Sequence, residues 1–204
     1  MTNGTLALGV RAHSGWAAVT VVGGTIDEPL ILARRRLVVV ASQEDEHTQP
    51  YHVAASLGPG RGRAVIERCA ARAEELARTG LQRLAADVAP ARIVSCAILT
   101  SKAREPLDLE TTLRSHALIH AAEGLLFREA VARAAVACGL DIEAIPEGEL
   151  FDVAARMWRT RPEAIRKRLS DLRRTVGAPW TTDEKLATVA GLLTLRERSR
   201  RRTA

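Results

Sequence analysis

The sequence predicts an α/β protein with a mixed five-stranded sheet, a three-strand antiparallel meander plus two parallel strands, flanked by helices. Three observations predict it. The first forty residues hold three apolar runs parted by glycine- and aspartate-bearing turns. The remainder alternates strand-like runs with long helical periods, the pattern of helices packed on a sheet. Apolar residues make up 47% and charged residues 26%, the balance of a globular protein with a real core. A length of 204 residues suits one domain, read here as 1–195 with a basic C-terminal tail over 196–204.

Leu6 to Val10 reads as the first strand, His13-Ser14-Gly15 as a turn and Trp16 to Val22 as the returning strand. Gly23-Gly24 and Asp27-Glu28-Pro29 turn the chain again into a third strand from Leu30 to Val40. The triplet Arg34-Arg35-Arg36 interrupts that strand, which suits a sheet edge. Ser42 to Gly62 is polar and glycine-rich, with His47 and His52 flanking Gln49-Pro50-Tyr51, and is predicted to be a long loop. Within it, Gly58-Pro59-Gly60-Arg61-Gly62 lacks a preceding strand and a Gly-Lys-Ser/Thr ending, so it reads as a linker and not a phosphate loop.

Val65, Ile66, Cys69, Leu76 and Leu84 mark an amphipathic helix over Arg63 to Ala86. Arg92 to Thr100 reads as a buried strand, and Ser101 to Glu110 as a polar link. A helix follows from Thr111 to Cys138, ended by Gly139. Asp141 to Ile145 is the fifth strand. Glu147 to Trp158 and Pro162 to Leu172 read as helices, and Thr182 as the cap of a last helix from Asp183 to Arg198. Trp16, Trp158 and Trp180 read as packing residues, with base stacking the alternative at Trp180.

The longest apolar runs, such as Leu37 to Ala41, fall far short of a membrane span, and the N-terminus carries no secretory pattern. Three scattered cysteines read as buried thiols of a cytoplasmic protein without a membrane partner. The sequence specifies no oligomeric state. The net charge of +6 is localised: Arg196 to the end contributes +4, Arg161 to Arg174 another +4, and the rest is slightly acidic. Arg166, Lys167, Arg173 and Arg174 are therefore the candidates for contact with the phosphates of a nucleic acid.

The element order resembles the ribonuclease H-like fold, closest to its branch of RuvC-type Holliday-junction resolvases. The resemblance rests on Leu8-Gly9-Val10 followed by Ser14-Gly15-Trp16-Ala17-Ala18-Val19, and on the helix from Ala117 to Cys138 with Gly139-Leu140 and the fifth strand behind it. The alanine-rich stretch from Lys185 to Leu195 adds to it. It implies a carboxylate cluster holding two divalent cations. Yet the position matching the first-strand aspartate is Arg11, and the fourth strand ends Leu99-Thr100-Ser101-Lys102 where a glutamate is expected. Asp183, at the start of the last helix, is the best candidate for a surviving acid.

His116, His120 and Glu123 fall at i, i+4 and i+7, on one helix face. Such a histidine pair can bind zinc, manganese or another divalent metal (magnesium being the ion the resemblance implies), with Glu123 as third ligand or base. The alternative is a solvated polar face. His13, Lys102, His116, His120, Glu123 and Asp183 are expected to converge in one cleft by the ends of the first and fourth strands, with Glu123, Asp183, His13 and Lys102 as catalytic candidates. The function expected is a nucleic-acid-binding or nuclease-related protein with a rebuilt active site. The alternatives are a non-catalytic scaffold or assembly protein, and a metal-dependent hydrolase centred on His116, His120 and Glu123.

Overall fold

A computed structural model describes residues 4–42, 44–101 and 108–203. Five strands form one sheet in the order β3-β2-β1-β4-β5: β1 (Thr5–His13), β2 (Trp16–Gly24), β3 (Pro29–Val38), β4 (Arg92–Thr100) and β5 (Asp141–Pro146). β1, β2 and β3 form the antiparallel meander, β4 runs parallel beside β1, and β5 runs parallel beside β4. The basic triplet does lie on an edge strand.

Side-chain alternation along β1 splits the core in two. Leu6, Leu8 and Val10 face the layer made by α3 (Pro59–Asp87) and α5 (His116–Ala137), where Cys69, Ala73, Ala77, Leu81, Leu126, Phe127 and Ala130 are buried. Ala7 faces the layer made by α6 (Leu150–Trp158), α7 (Pro162–Asp171) and α9 (Thr182–Thr203). Few aromatics are available, so both layers are packed with Ala, Val, Leu and Ile.

Three elements differ from their expectation. The segment read as a loop holds α1 (Asp45–Thr48) and α2 (Pro50–Leu57), and α3 begins at once at Pro59. Both prolines stand at first-turn positions, where a missing N–H costs nothing. Gly62 is structural too, since a Cβ on it would lie 2.7 Å from the Ala54 Cβ. It lets α2 lie tight on α3. The helix expected over 111–138 is broken at Arg114-Ser115 into α4 (Leu109–Leu113) and α5. Asp108 caps α4, its carboxylate accepting from the Thr111 N–H at 2.9 Å. The cap of α9 is Thr181 and not Thr182: the Thr181 hydroxyl accepts from the Glu184 N–H at 3.2 Å, and Glu184 accepts from the Thr181 N–H at 2.7 Å. α9 also continues to Thr203, so the residues read as a tail prolong a helix, and Arg198 within it pairs with Asp141.

Among the described residues no helix is long and apolar enough to cross a membrane. All three cysteines are free. Burial pushes the Cys96 thiol up to about 12.

Candidate functional site

Two polar clusters stand at the end of the sheet where β1 and β4 finish, one per face. The first is built on β1. Gly9 lets α9 approach β1 at backbone distance: a Cβ there would lie 1.6 Å from the Ala187 carbonyl oxygen. Two residues further along, on the same face, is Arg11. One helical turn before Ala187 is Asp183. The Arg11 guanidinium bonds Asp183 Oδ1 through Nη1 and grips Glu147 in bidentate fashion, Nε to Oε2 at 2.8 Å and Nη2 to Oε1 at 2.9 Å. Glu147 opens the short 3₁₀ turn (Glu147–Glu149) after β5.

His13, on the same side of β1, has its Nε2 at 3.3 Å from both Arg11 Nη1 and Asp183 Oδ2. Its ring stacks on Trp16, with centroids 4.2 Å apart, and Arg36 of β3 covers the Trp16 face at 3.8 Å. The bond to Glu147 raises the Arg11 pKa; burial works against it, and Asp183 adds to the rise. The cation is permanent.

The charges beside this cluster are also matched. Arg34 donates to the carbonyls of Pro179 and, at 2.7 Å, Val176, and lies 3.5 Å from Glu184. Trp180 is buried, its indole donating to the Leu169 carbonyl at 2.5 Å, so it packs and offers no stacking surface. Of the basic candidates, Lys167 pairs with Asp171 at 2.7 Å, and Arg166 lies over Phe151 at 4.1 Å. Arg173 and Arg174 are exposed on α8 (Arg173–Val176).

The second cluster occupies the opposite face. Glu123 of α5 is only 2% exposed and its carboxylate is held by α2: Oε1 is 2.9 Å from His52 Nδ1 and 3.4 Å from the His52 backbone nitrogen. Oε2 lies 3.8 Å from His120 Nδ1. The rings of His52, His116 and His120 form a triangle with centroids 5.3, 4.8 and 4.4 Å apart. One nitrogen from each falls within 4.8 Å of the others, a group that could hold a metal ion. Burial raises the neighbouring Tyr51 pKa, and the fields of Glu129 and Glu123 add to the rise.

The expected single cleft therefore does not form among the described residues. His13 and Asp183 meet, and His116, His120 and Glu123 meet, but α5 and α9 cover opposite sides of the sheet. Lys102 lies outside the described residues. Sequence reasoning missed Glu147 and His52. Glu147 was legible only as the first residue past a strand parallel to the first, and His52 only once its segment is helical.

The two-metal chemistry that the sequence resemblance implies needs carboxylates facing a gap that a cation can enter. Here a guanidinium fills the gap between Glu147 and Asp183, so these residues do not fit a divalent ion.

No protein-family model matches the chain, and no curated protein matches it. Among solved structures it is similar to Thermus thermophilus RuvC in complex with a Holliday junction substrate, with 14% identity and a TM-score of 0.56 over 96% of each chain. It is also similar to a second Thermus thermophilus RuvC structure, with 13% identity and a TM-score of 0.53 over 96% of each chain. At that identity the likeness is one of architecture, and it agrees with the mixed five-stranded sheet, its strand order and the flanking helices. The chain has the ribonuclease H-like fold in its RuvC form.

Proposed function

We propose that this protein binds nucleic acid, branched DNA being the first substrate to test, and does not cut it by the two-metal acidic route. One observation carries the reading: Arg11 occupies the centre of the acidic site and ties up Glu147 and Asp183. A fixed guanidinium stands where a metal ion would otherwise sit between the carboxylates, so the cluster offers no metal-activated water, and attraction for an anionic backbone has to come from the basic side chains around it. His13, Trp16 and Arg36 extend it as a cationic and aromatic row along the same face. Arg166, Lys167, Arg173 and Arg174 belong to the same helix layer and supply the phosphate contacts. Thermus thermophilus RuvC, with the same architecture, is described in complex with a Holliday junction. The cytoplasm is the proposed location, supported by three free thiols, of which Cys69 and Cys96 are buried.

The test is an anisotropy titration of four-way-junction and linear duplex DNA at two salt concentrations, followed by incubation with magnesium or manganese. Binding that weakens steeply with salt, falls when the four basic residues become alanine, and leaves the strands intact supports the reading. Magnesium-dependent cleavage lost in Asp183→Asn, or no salt-sensitive binding, overturns it.

A further inference from the structure

We propose that His52, His116 and His120 form a transition-metal site of the zinc class, with Glu123 behind it as a positioning carboxylate and a fourth coordination position open to an outside ligand. The site lies on the opposite face from Arg11 and stands independently of nucleic-acid binding. Three of the five histidines of the chain meet at this one place, brought there by two helices. His116 and His120 are one turn apart on the first turns of α5, and α2 lays His52 across them.

Glu123 decides the chemistry. A carboxylate that is 2% exposed is costly unless something carries a compensating charge. The side-chain partners the structure gives it are imidazoles, His52 at 2.9 Å and His120 at 3.8 Å. The contact to His52 is through Nδ1, which fixes a proton there and leaves Nε2 with its lone pair free to bind a metal. A histidine whose second nitrogen is held by a carboxylate is the arrangement that orients and strengthens a metal ligand. Glu123 is therefore an outer partner and not the third ligand expected from the sequence; His52 takes that place.

Three neutral nitrogen donors select zinc and its neighbours over magnesium or calcium, which prefer oxygen. Ligand nitrogens now up to 4.8 Å apart must close to about 3.3 Å around a zinc ion with bonds of about 2.05 Å. His116 and His120 are exposed and can rotate inward, while His52 is held by Glu123. Three protein ligands and one open position define a site that can take water or an anionic group.

The experiment uses untagged full-length protein, with zinc and cobalt as the probes. Calorimetry should show about one zinc ion per chain with a dissociation constant below about 1 µM. Cobalt should give the intense visible bands of four-coordinate nitrogen ligation, and magnesium should give neither signal. His116→Asn and His120→Asn, both at exposed positions, should each weaken zinc binding about a hundredfold. Glu123→Gln should weaken it about tenfold to a hundredfold with the cobalt bands kept but shifted. Circular dichroism checks that each variant is folded. Absence of binding, or a zinc isotherm unchanged in His116→Asn and His120→Asn, overturns the proposal; a pale six-coordinate cobalt spectrum does so too.

Discussion

The two faces of the sheet present opposite electrostatic situations at the same end. On the α9 face every acid of the cluster meets a permanent cation of the protein: Glu147 and Asp183 are shared by Arg11, and Glu184 lies beside Arg34. On the α5 face a deeply buried acid, Glu123, meets imidazoles, which carry charge only when protonated. Where the protein supplies its own cation, the carboxylates are satisfied. Where it supplies only neutral donors, the charge of the buried acid is left for a cation from solution to balance, as in the metal site proposed above. The same end of one fold thus holds a closed ion-pair cluster on one face and a group that could hold a metal on the reverse.

The largest effect that bears on this comparison concerns the seating of α9. Gly9→Ala would drive a methyl into the Ala187 carbonyl, so α9 must move and carry Asp183 off Arg11. A loss of about 3 kcal/mol in chemical denaturation is expected. An unchanged midpoint would mean α9 does not rest on β1. Next comes the guanidinium itself. Arg11→Ala leaves Glu147 and Asp183 facing each other without a cation and should cost about 2 kcal/mol. Arg11→Asp should cost more in metal-free buffer and regain part of the loss in magnesium, whereas the wild type should be indifferent to magnesium. A wild-type melting point that climbs with magnesium would erase the contrast between the faces.

A third prediction uses pH. Cys96 sits at the centre of β4, fully buried, with its thiol raised from 9.0 to about 12. An acid whose folded pKa is raised stabilises the fold below its unfolded value and loses that contribution as pH climbs past it. Between pH 9 and about 12 the unfolded chain releases this proton and the folded one keeps it. Wild-type stability should therefore fall relative to Cys96→Ala by about 1.4 kcal/mol per pH unit above 9. Parallel pH profiles for the two proteins would show that Cys96 ionises freely. The smallest effect is expected at the exposed histidine: His116→Asn in metal-free protein should shift stability by under about 0.5 kcal/mol. A larger loss without metal would mean His116 is a packing residue, and the open character assigned to that face would fail.

Much of this architecture was legible in the chain. Apolar alternation located β1, apolar runs between turns located β2 and β4, the arginine triplet marked β3 as an edge, and strand–helix alternation implied the parallel half of the sheet. Even the side-to-side split of the triplet follows from a period of two: Arg34 and Arg36 turn to the α9 face, while Arg35 reaches Asp87 of α3 at 3.4 Å. The polar segment after β3 was not legible. Its helices are short, and α2 is held by contacts such as that of Ala54 with Gly62, which no local period encodes.

The sequence by itself determined the fold, the departure at Arg11 from the acidic pattern it resembles, and the pairing of His116 with His120 on one helix face. Those are local facts of period and residue identity. Tertiary structure alone decided the partners. Glu147 is 136 residues from Arg11 and Asp183 is 172; they meet because β5 finishes at the same end of the sheet as β1, across β4, and α9 lies upon β1. His52 is 71 residues from Glu123 and reaches it because α2 folds back over the start of α5. Charges and donors are written along the chain, but which of them neutralise one another depends on the face of the sheet each helix covers. That choice is made by packing, not by spacing.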